Sequence, residues 1–138
     1  NNKPIPLLKD LLKTSKNKHP LFIEIKPIFP KKLLQKLLKE TSKFSKCTFI
    51  SFKHENIYNL LKIKSNTKVG LSFSPPTSVK TIIKKSKNKK INCLVLDKFF
   101  LKNKNIQNLK IKKYYYTIKT KSEFKKYSKN NNLIFENL

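Results

Sequence analysis

The 138-residue chain has no arginine, no alanine, no methionine and no tryptophan, and its only glycine is Gly70. Each absence removes a class of function. Arginine grips phosphate bidentately and reads guanine edges, whereas lysine is a point charge on a flexible stem, so the composition argues against a sequence-specific DNA reader. A single glycine cannot build the glycine-rich phosphate loop of a dinucleotide-binding sheet. No apolar run reaches the length of about 18 residues that suggests a membrane span, and the first residues lack the apolar stretch of a secretory signal. With no initiating methionine either, the chain reads as a soluble, cytoplasmic fragment of a longer protein.

Acidic residues are also scarce. Seven of them face 33 lysines, for a formal net charge of +26. Such an excess attracts polyanions and anionic membrane surfaces without specificity. It accompanies an abundance of Lys, Asn, Ile, Phe and Tyr, the residues that A+T-rich codons favour, so much of it reads as a solvated surface set by codon bias.

The hydrophobic share is 38%, with 10 Phe and 5 Tyr, enough for one modest domain with a core. The two cysteines, Cys47 and Cys93, match no metal-ligand spacing, and both fall in candidate buried strands. With one strand between them their backbones would stand roughly 9 to 10 Å apart, beyond disulfide reach. They are expected to be buried free thiols.

Short runs rich in β-branched and aromatic residues recur at Leu21–Lys26, Cys47–Phe52, Lys68–Phe73, Asn92–Asp97, Lys113–Ile118 and Leu133–Phe135. Their starts lie roughly 20 to 26 residues apart, the length of a strand, a loop and a helix. Between them run helical stripes: Leu33, Leu34, Leu37 and Leu38, then Ile57, Leu60 and Leu61, then Val79, Ile82 and Ile83. Phe124 and Tyr127 mark a short helix opened by a capping box, Thr120 to Glu123. The runs Lys84–Lys90 and Lys102–Lys113 read as solvated connections, the second anchored by Ile106, Leu109 and Ile111.

Strands alternating with helices imply a parallel sheet, either an eight-stranded barrel or an open doubly wound sheet. The missing glycine loop favours the barrel. At 138 residues it would be only a partial TIM-type (β/α) barrel, because a complete one needs about 200 to 250 residues.

Glu24 and Lys26 are the charged residues of an otherwise apolar run, Leu21-Phe-Ile-Glu-Ile-Lys26. Alternation puts both on one face while Ile23 and Ile25 pack the other. At the C-terminal end of a barrel strand that face is the active-site mouth. A carboxylate there can ligate a hard cation and a lysine can hold a phosphate oxygen; a structural ion pair or a wet strand edge would show the same pattern. Asp97, also at a strand end, is a candidate substrate contact. His19 should lie on the surface at the opposite end, and His54 near the mouth as a capping or solvent-facing residue.

Ile5-Pro-Leu-Leu-Lys-Asp-Leu-Leu12 followed by Leu21-Phe-Ile-Glu-Ile-Lys26 resembles the middle of the glycerophosphodiester phosphodiesterase family. Phe49-Ile-Ser-Phe52 is similar to the family's I-S-S-F strand end, Tyr115-Tyr-Thr-Ile-Lys119 to its V-W-T-V-N strand, and Leu133-Ile-Phe-Glu-Asn137 to its last strand. The collinear matches run from Ile5 to Asn137, and only I-E-I-K is chemically specific.

The resemblance implies that residues 1–138 form the C-terminal part of one such domain, a partial TIM-type barrel with its front strands missing. It implies a TIM barrel that hydrolyses glycerophosphodiesters to glycerol 3-phosphate and an alcohol, with Mg²⁺ or Ca²⁺ in the mouth. Glu24 would be a metal ligand and Lys26 the adjacent active-site lysine; Tyr116 stands where the family has a pocket-lining Trp, and Lys119 where it has Asn. The family's catalytic histidines and its other metal carboxylates belong to H-R-G, E-x-D and H-D segments, which this chain lacks. The glycine before the family's last strand is replaced within Asn130–Asn132, where Asn can take the left-handed conformation. The alternative to an enzyme is a degenerate, non-catalytic barrel that binds anionic lipid or polyanion through its lysines.

Overall fold

A computed structural model describes residues 4–138. Six parallel strands alternate with six helices: α1 Leu8–Ser15, β1 Leu21–Glu24, α2 Lys31–Thr41, β2 Cys47–Ser51, α3 His54–Ile63, β3 Val69–Phe73, α4 Val79–Ser86, β4 Cys93–Asp97, α5 Lys104–Gln107, β5 Lys112–Ile118, α6 Lys121–Tyr127 and β6 Asn132–Phe135. Every strand pairs in parallel with the next in sequence, in the order β1-β2-β3-β4-β5-β6. A doubly wound sheet reverses its order at a switch point. This one never does, so it winds in a single sense, as a barrel wall does.

The sheet curls far enough for its first and fifth strands to meet across the inside. Phe22 of β1 and Tyr114 of β5 pack edge to face with ring centroids 4.8 Å apart. Among the described residues the outer edges of β1 and β6 have no strand partner. The architecture is therefore an incomplete TIM-type barrel.

Side-chain alternation divides each strand between two environments. On the outside, Phe49, Leu71, Leu94, Leu96 and Tyr115 join helix residues such as Leu34, Ile57, Leu60, Ile82 and Ile106 in one continuous core. Burying each such side chain contributes about 1.5–3 kcal/mol, which makes this layer the main source of stability. On the inside the chain packs tightly at the strand starts. A Cβ on Gly70 would lie 2.5 Å from Cys93 Sγ and 3.2 Å from both Cys93 O and Ile50 Cγ2, which is why the only glycine sits here.

Several connections differ from expectation. The Lys102–Lys113 stretch contains α5, because Asn103 caps it, its Oδ1 accepting from Ile106 N at 3.0 Å, and Ile106 is completely buried. One apolar residue per turn is too little for a periodicity to reveal. Helix α4 runs to Ser86, taking the first residues of the Lys84–Lys90 run. The chain enters β6 without a left-handed residue at Asn130–Asn132; positive φ occurs instead at Lys16, Asn17 and Asn137. Asn131 and Asn132 donate to Tyr127 O and Lys113 O, so these asparagines are held by side-chain bonds rather than by a turn. The capping box forms at its threonine: Thr120 Oγ1 accepts from Glu123 N at 3.1 Å.

Both cysteines are buried and unpaired, as expected. Burial pushes the Cys93 thiol up to about 11, so it is a poor nucleophile at neutral pH. No helix among the described residues is long and apolar enough to cross a membrane.

Candidate functional site

The C-terminal ends of the strands surround a cavity of about 290 Å³ on the inner face. Glu24 ends β1 and points into it from the wall, with Phe22 two residues earlier. Ser72 contributes from β3, Val95 from β4, and Tyr116 and Thr117 from β5. The pairing of β5 with β6 shifts register between Tyr115 and Ile118, an irregularity at the rim of the kind that re-aims side chains near sites.

Tyr116 bridges this space. Its hydroxyl donates to Phe73 O at 2.9 Å, and its ring meets Phe52 edge to face at 5.9 Å. Burial, then the carboxylates of Asp97 and Glu24, push its phenol up to about 12. Tyr116 is thus a neutral hydrogen-bonding wall that senses both acidic groups, not a base.

The two carboxylates are used differently. Asp97 Oδ1 accepts from Phe99 N at 2.8 Å and so caps the 3₁₀ turn Lys98–Lys102. Glu24 is exposed and enters no ion pair; the one salt bridge among the described residues joins Lys98 to Glu123. Lys26 lies two residues past the end of β1, exposed, with the buried Ile25 between it and Glu24. Strand alternation therefore does not extend to Lys26, and Lys26 does not join Glu24 in lining the cavity. Lys119 is likewise exposed just beyond β5.

Two residues of the site carried no sequence signal. Ser72 Oγ is buried in the cavity wall with no protein hydrogen-bond partner among the described residues, an uncommon state for a hydroxyl. Asn56, completely buried in α3, holds the loop that follows Glu24: its Oδ1 accepts from Phe29 N and its Nδ2 donates to Pro27 O, both at 2.8 Å. In the sequence it is only one polar position of an amphipathic helix.

His19 is exposed, as expected. His54 is neither a cap nor solvent-facing. It wedges on the outer side of the sheet, edge to face with Phe73 at 4.7 Å, its Nε2 bonded to Ser72 O at 2.8 Å and its Nδ1 to Lys85 Nζ at 2.7 Å. The ammonium can only donate, so Nδ1 accepts and the proton of the neutral ring sits on Nε2. Burial first, and the Lys85 charge as well, hold His54 below the usual histidine range.

No group of three or more His, Cys, Asp or Glu residues that could hold a metal ion is present among the described residues. Hard divalent cations take six or more oxygen ligands. Glu24 alone does not make such a site, and the described residues do not by themselves fit a resident cation.

No family model matches the chain, and no curated protein matches it in sequence. In structure it is similar to a solved protein from Galdieria sulphuraria, named a "putative glycerophosphodiester phosphodiesterase", with a TM-score of 0.71 and 16% sequence identity. The match covers 94% of this chain and 59% of that one, so the chain spans about three-fifths of the neighbour's length. At this identity the likeness carries the fold: the chain is a partial TIM-type (β/α) barrel.

Proposed function

We propose that the chain is the back portion of a cytoplasmic phosphodiesterase barrel that hydrolyses glycerophosphodiesters to glycerol 3-phosphate and an alcohol. The observation that carries this reading is Glu24, an acidic side chain at the C-terminal end of a barrel strand, aimed into the inner cavity beside Tyr116. Active sites of such barrels sit at that end. The likeness to the Galdieria sulphuraria protein supports the choice of reaction.

In this reading Glu24 supplies one oxygen donor to a divalent cation, Mg²⁺ or Ca²⁺, whose other ligands come from outside this chain. Lys26 holds a phosphate oxygen at the rim, Tyr116 walls the pocket, and Asp97, whose second carboxylate oxygen remains available, contacts the alcohol part. The chain by itself is inactive.

The test uses the complete reading frame that contains this chain and follows glycerol 3-phosphate release from glycerophosphocholine. Expected are turnover that a chelator abolishes and a loss of at least about 100-fold in Glu24→Gln. Turnover unchanged in that variant overturns the assignment of Glu24. Absence of any chelator-sensitive release points to the second reading, a non-catalytic barrel, which the +26 charge favours.

A further inference from the structure

We infer that the N-terminal end of the barrel, opposite the cavity, is a docking face for an anionic phospholipid bilayer. The inference rests on where the fold collects charge and is independent of any catalysis in the mouth.

Six connections lead from a helix into the next strand: residues 16–20, 42–46, 64–68, 87–92, 108–111 and 128–131. A singly wound barrel brings all six to one end. Of their 29 residues 11 are lysine, all exposed, and none is acidic. The other end is different. Glu24 and Asp97 terminate their strands, Glu136 follows β6, and Asp10, Glu55 and Glu123 occupy first turns of α1, α3 and α6. Six of the seven acidic residues therefore lie toward the cavity end, and only Glu40, in the last turn of α2, lies toward the lysine end.

Codon bias raises the number of lysines but has no means of sorting them by end. Helix dipoles do sort charge, favouring acids in first turns and cations in last turns. They act only within those turns, however. They do not account for Lys89 and Lys90 beyond the α4 cap, or for Lys46 and Lys68 directly before β2 and β3. The loops carry the asymmetry past what the helices need.

The shape of the face selects the partner. Each connection is four to six residues long, so no helix or β-ribbon projects to enter a nucleic-acid groove. No arginine is present, and none of the exposed large hydrophobic residues falls in these loops, so the face offers neither bidentate phosphate readers nor stacking platforms. The six connections lie side by side around the curled end of the sheet. A broad, short-looped, lysine-only surface matches a plane of phosphate and carboxylate headgroups. Each lysine near such a plane strengthens partitioning by roughly fivefold. Without an apolar residue to insert, binding is electrostatic and reversible by salt. Docked in this way, the barrel turns its cavity toward solution, so anything bound there comes from the aqueous phase.

The experiment measures co-sedimentation of the chain with vesicles of phosphatidylcholine containing 30 mol% phosphatidylserine (about one anionic lipid in three), against phosphatidylcholine alone. Two variants lose the same charge. One carries Lys43, Lys64, Lys87, Lys89 and Lys90→Gln on the face; the other carries Lys31, Lys36, Lys80, Lys121 and Lys125→Gln on the helices. All ten side chains are exposed, and unchanged thermal melting verifies that each variant folds. Expected are binding only to the anionic vesicles, release by high salt, a loss of at least about 100-fold in the face variant and less than about fivefold in the helix variant. Equal losses in both variants would show attraction to total charge and overturn the proposal. So would no binding to anionic vesicles, or tighter binding to RNA than to vesicles at equal phosphate concentration.

Discussion

The two faces of the sheet are built from alternate residues of the same strands, yet they have different physical characters. Outward-facing Leu71, Leu94 and Leu96 are completely buried under helices. Inward-facing Phe22 is 38% exposed, Phe52 is 44% exposed, and Glu24 is open to solvent. The outer face is finished by this chain's own helices, whereas the inner face is closed only where strands meet across the curl. Stability should therefore be carried by the outside, and the inside should tolerate change near the mouth.

The largest effect expected from this contrast is Leu94→Ala, which empties a fully buried site and should cost roughly 2–5 kcal/mol. Phe22→Ala removes a larger side chain but one that is partly wet and held mainly by its ring contact with Tyr114, so about 1–2 kcal/mol is expected. Urea midpoints of the two variants give the comparison directly. A Phe22→Ala cost equal to that of Leu94→Ala would show that the inner face is as well packed as the outer.

Gly70→Ala tests the one place where the inner face is tight. The added methyl meets Cys93 Sγ at 2.5 Å and backbone and Ile50 atoms at 3.2 Å, and overpacking of this kind costs roughly 1–3 kcal/mol. Combining it with Cys93→Ala removes the nearest clash. The double variant should recover part of the loss, leaving the share due to Cys93 O and Ile50.

The outer face also contains a part-buried ionisable contact, His54 with Ser72 O and Lys85. Burial depresses its folded pKa below the ordinary value of 6.5. Above that value both folded and unfolded states are neutral at this residue and the stability it contributes is complete. As pH falls below 6.5, the unfolded chain binds the proton first, so stability declines until the folded pKa is passed. Urea midpoints should fall from pH 7 to pH 5 in the parent protein, and His54→Gln should flatten that part of the profile.

The strand runs were readable because they face a dry core on one side, and all six expected runs became strands. Helix α5 was not readable, since a capped single turn with one buried residue, Ile106, leaves no period. Glu24 stood out as a charge within an apolar run, and the fold places it at the cavity. Asp97 showed only as a strand-end acid; that its carboxylate caps the following turn depends on local geometry. Asn56, Ser72 and the environment of His54 were hidden for a common reason: the main partners of Asn56 and His54 are backbone atoms or side chains 18 to 31 residues away, and Ser72 Oγ has no protein partner among the described residues.

The smallest expected effect separates the faces most finely. Ser51 and Ser72 are both buried serines, on adjacent strands but opposite faces. Ser51 Oγ donates to Ile25 O and accepts from Lys53 N, tying the Glu24 strand to the start of α3, so Ser51→Ala should cost roughly 1–3 kcal/mol. Ser72 Oγ lies in the cavity wall without a protein partner among the described residues, the arrangement in which a hydroxyl contributes nothing to offset its desolvation. Ser72→Ala removes that penalty together with the atom, and unfolding should shift by less than about 0.5 kcal/mol, or toward greater stability. A loss matching that of Ser51→Ala would mean that the Ser72 hydroxyl is satisfied in solution, and that the cavity end of the inner face is a closed polar network rather than an open wall.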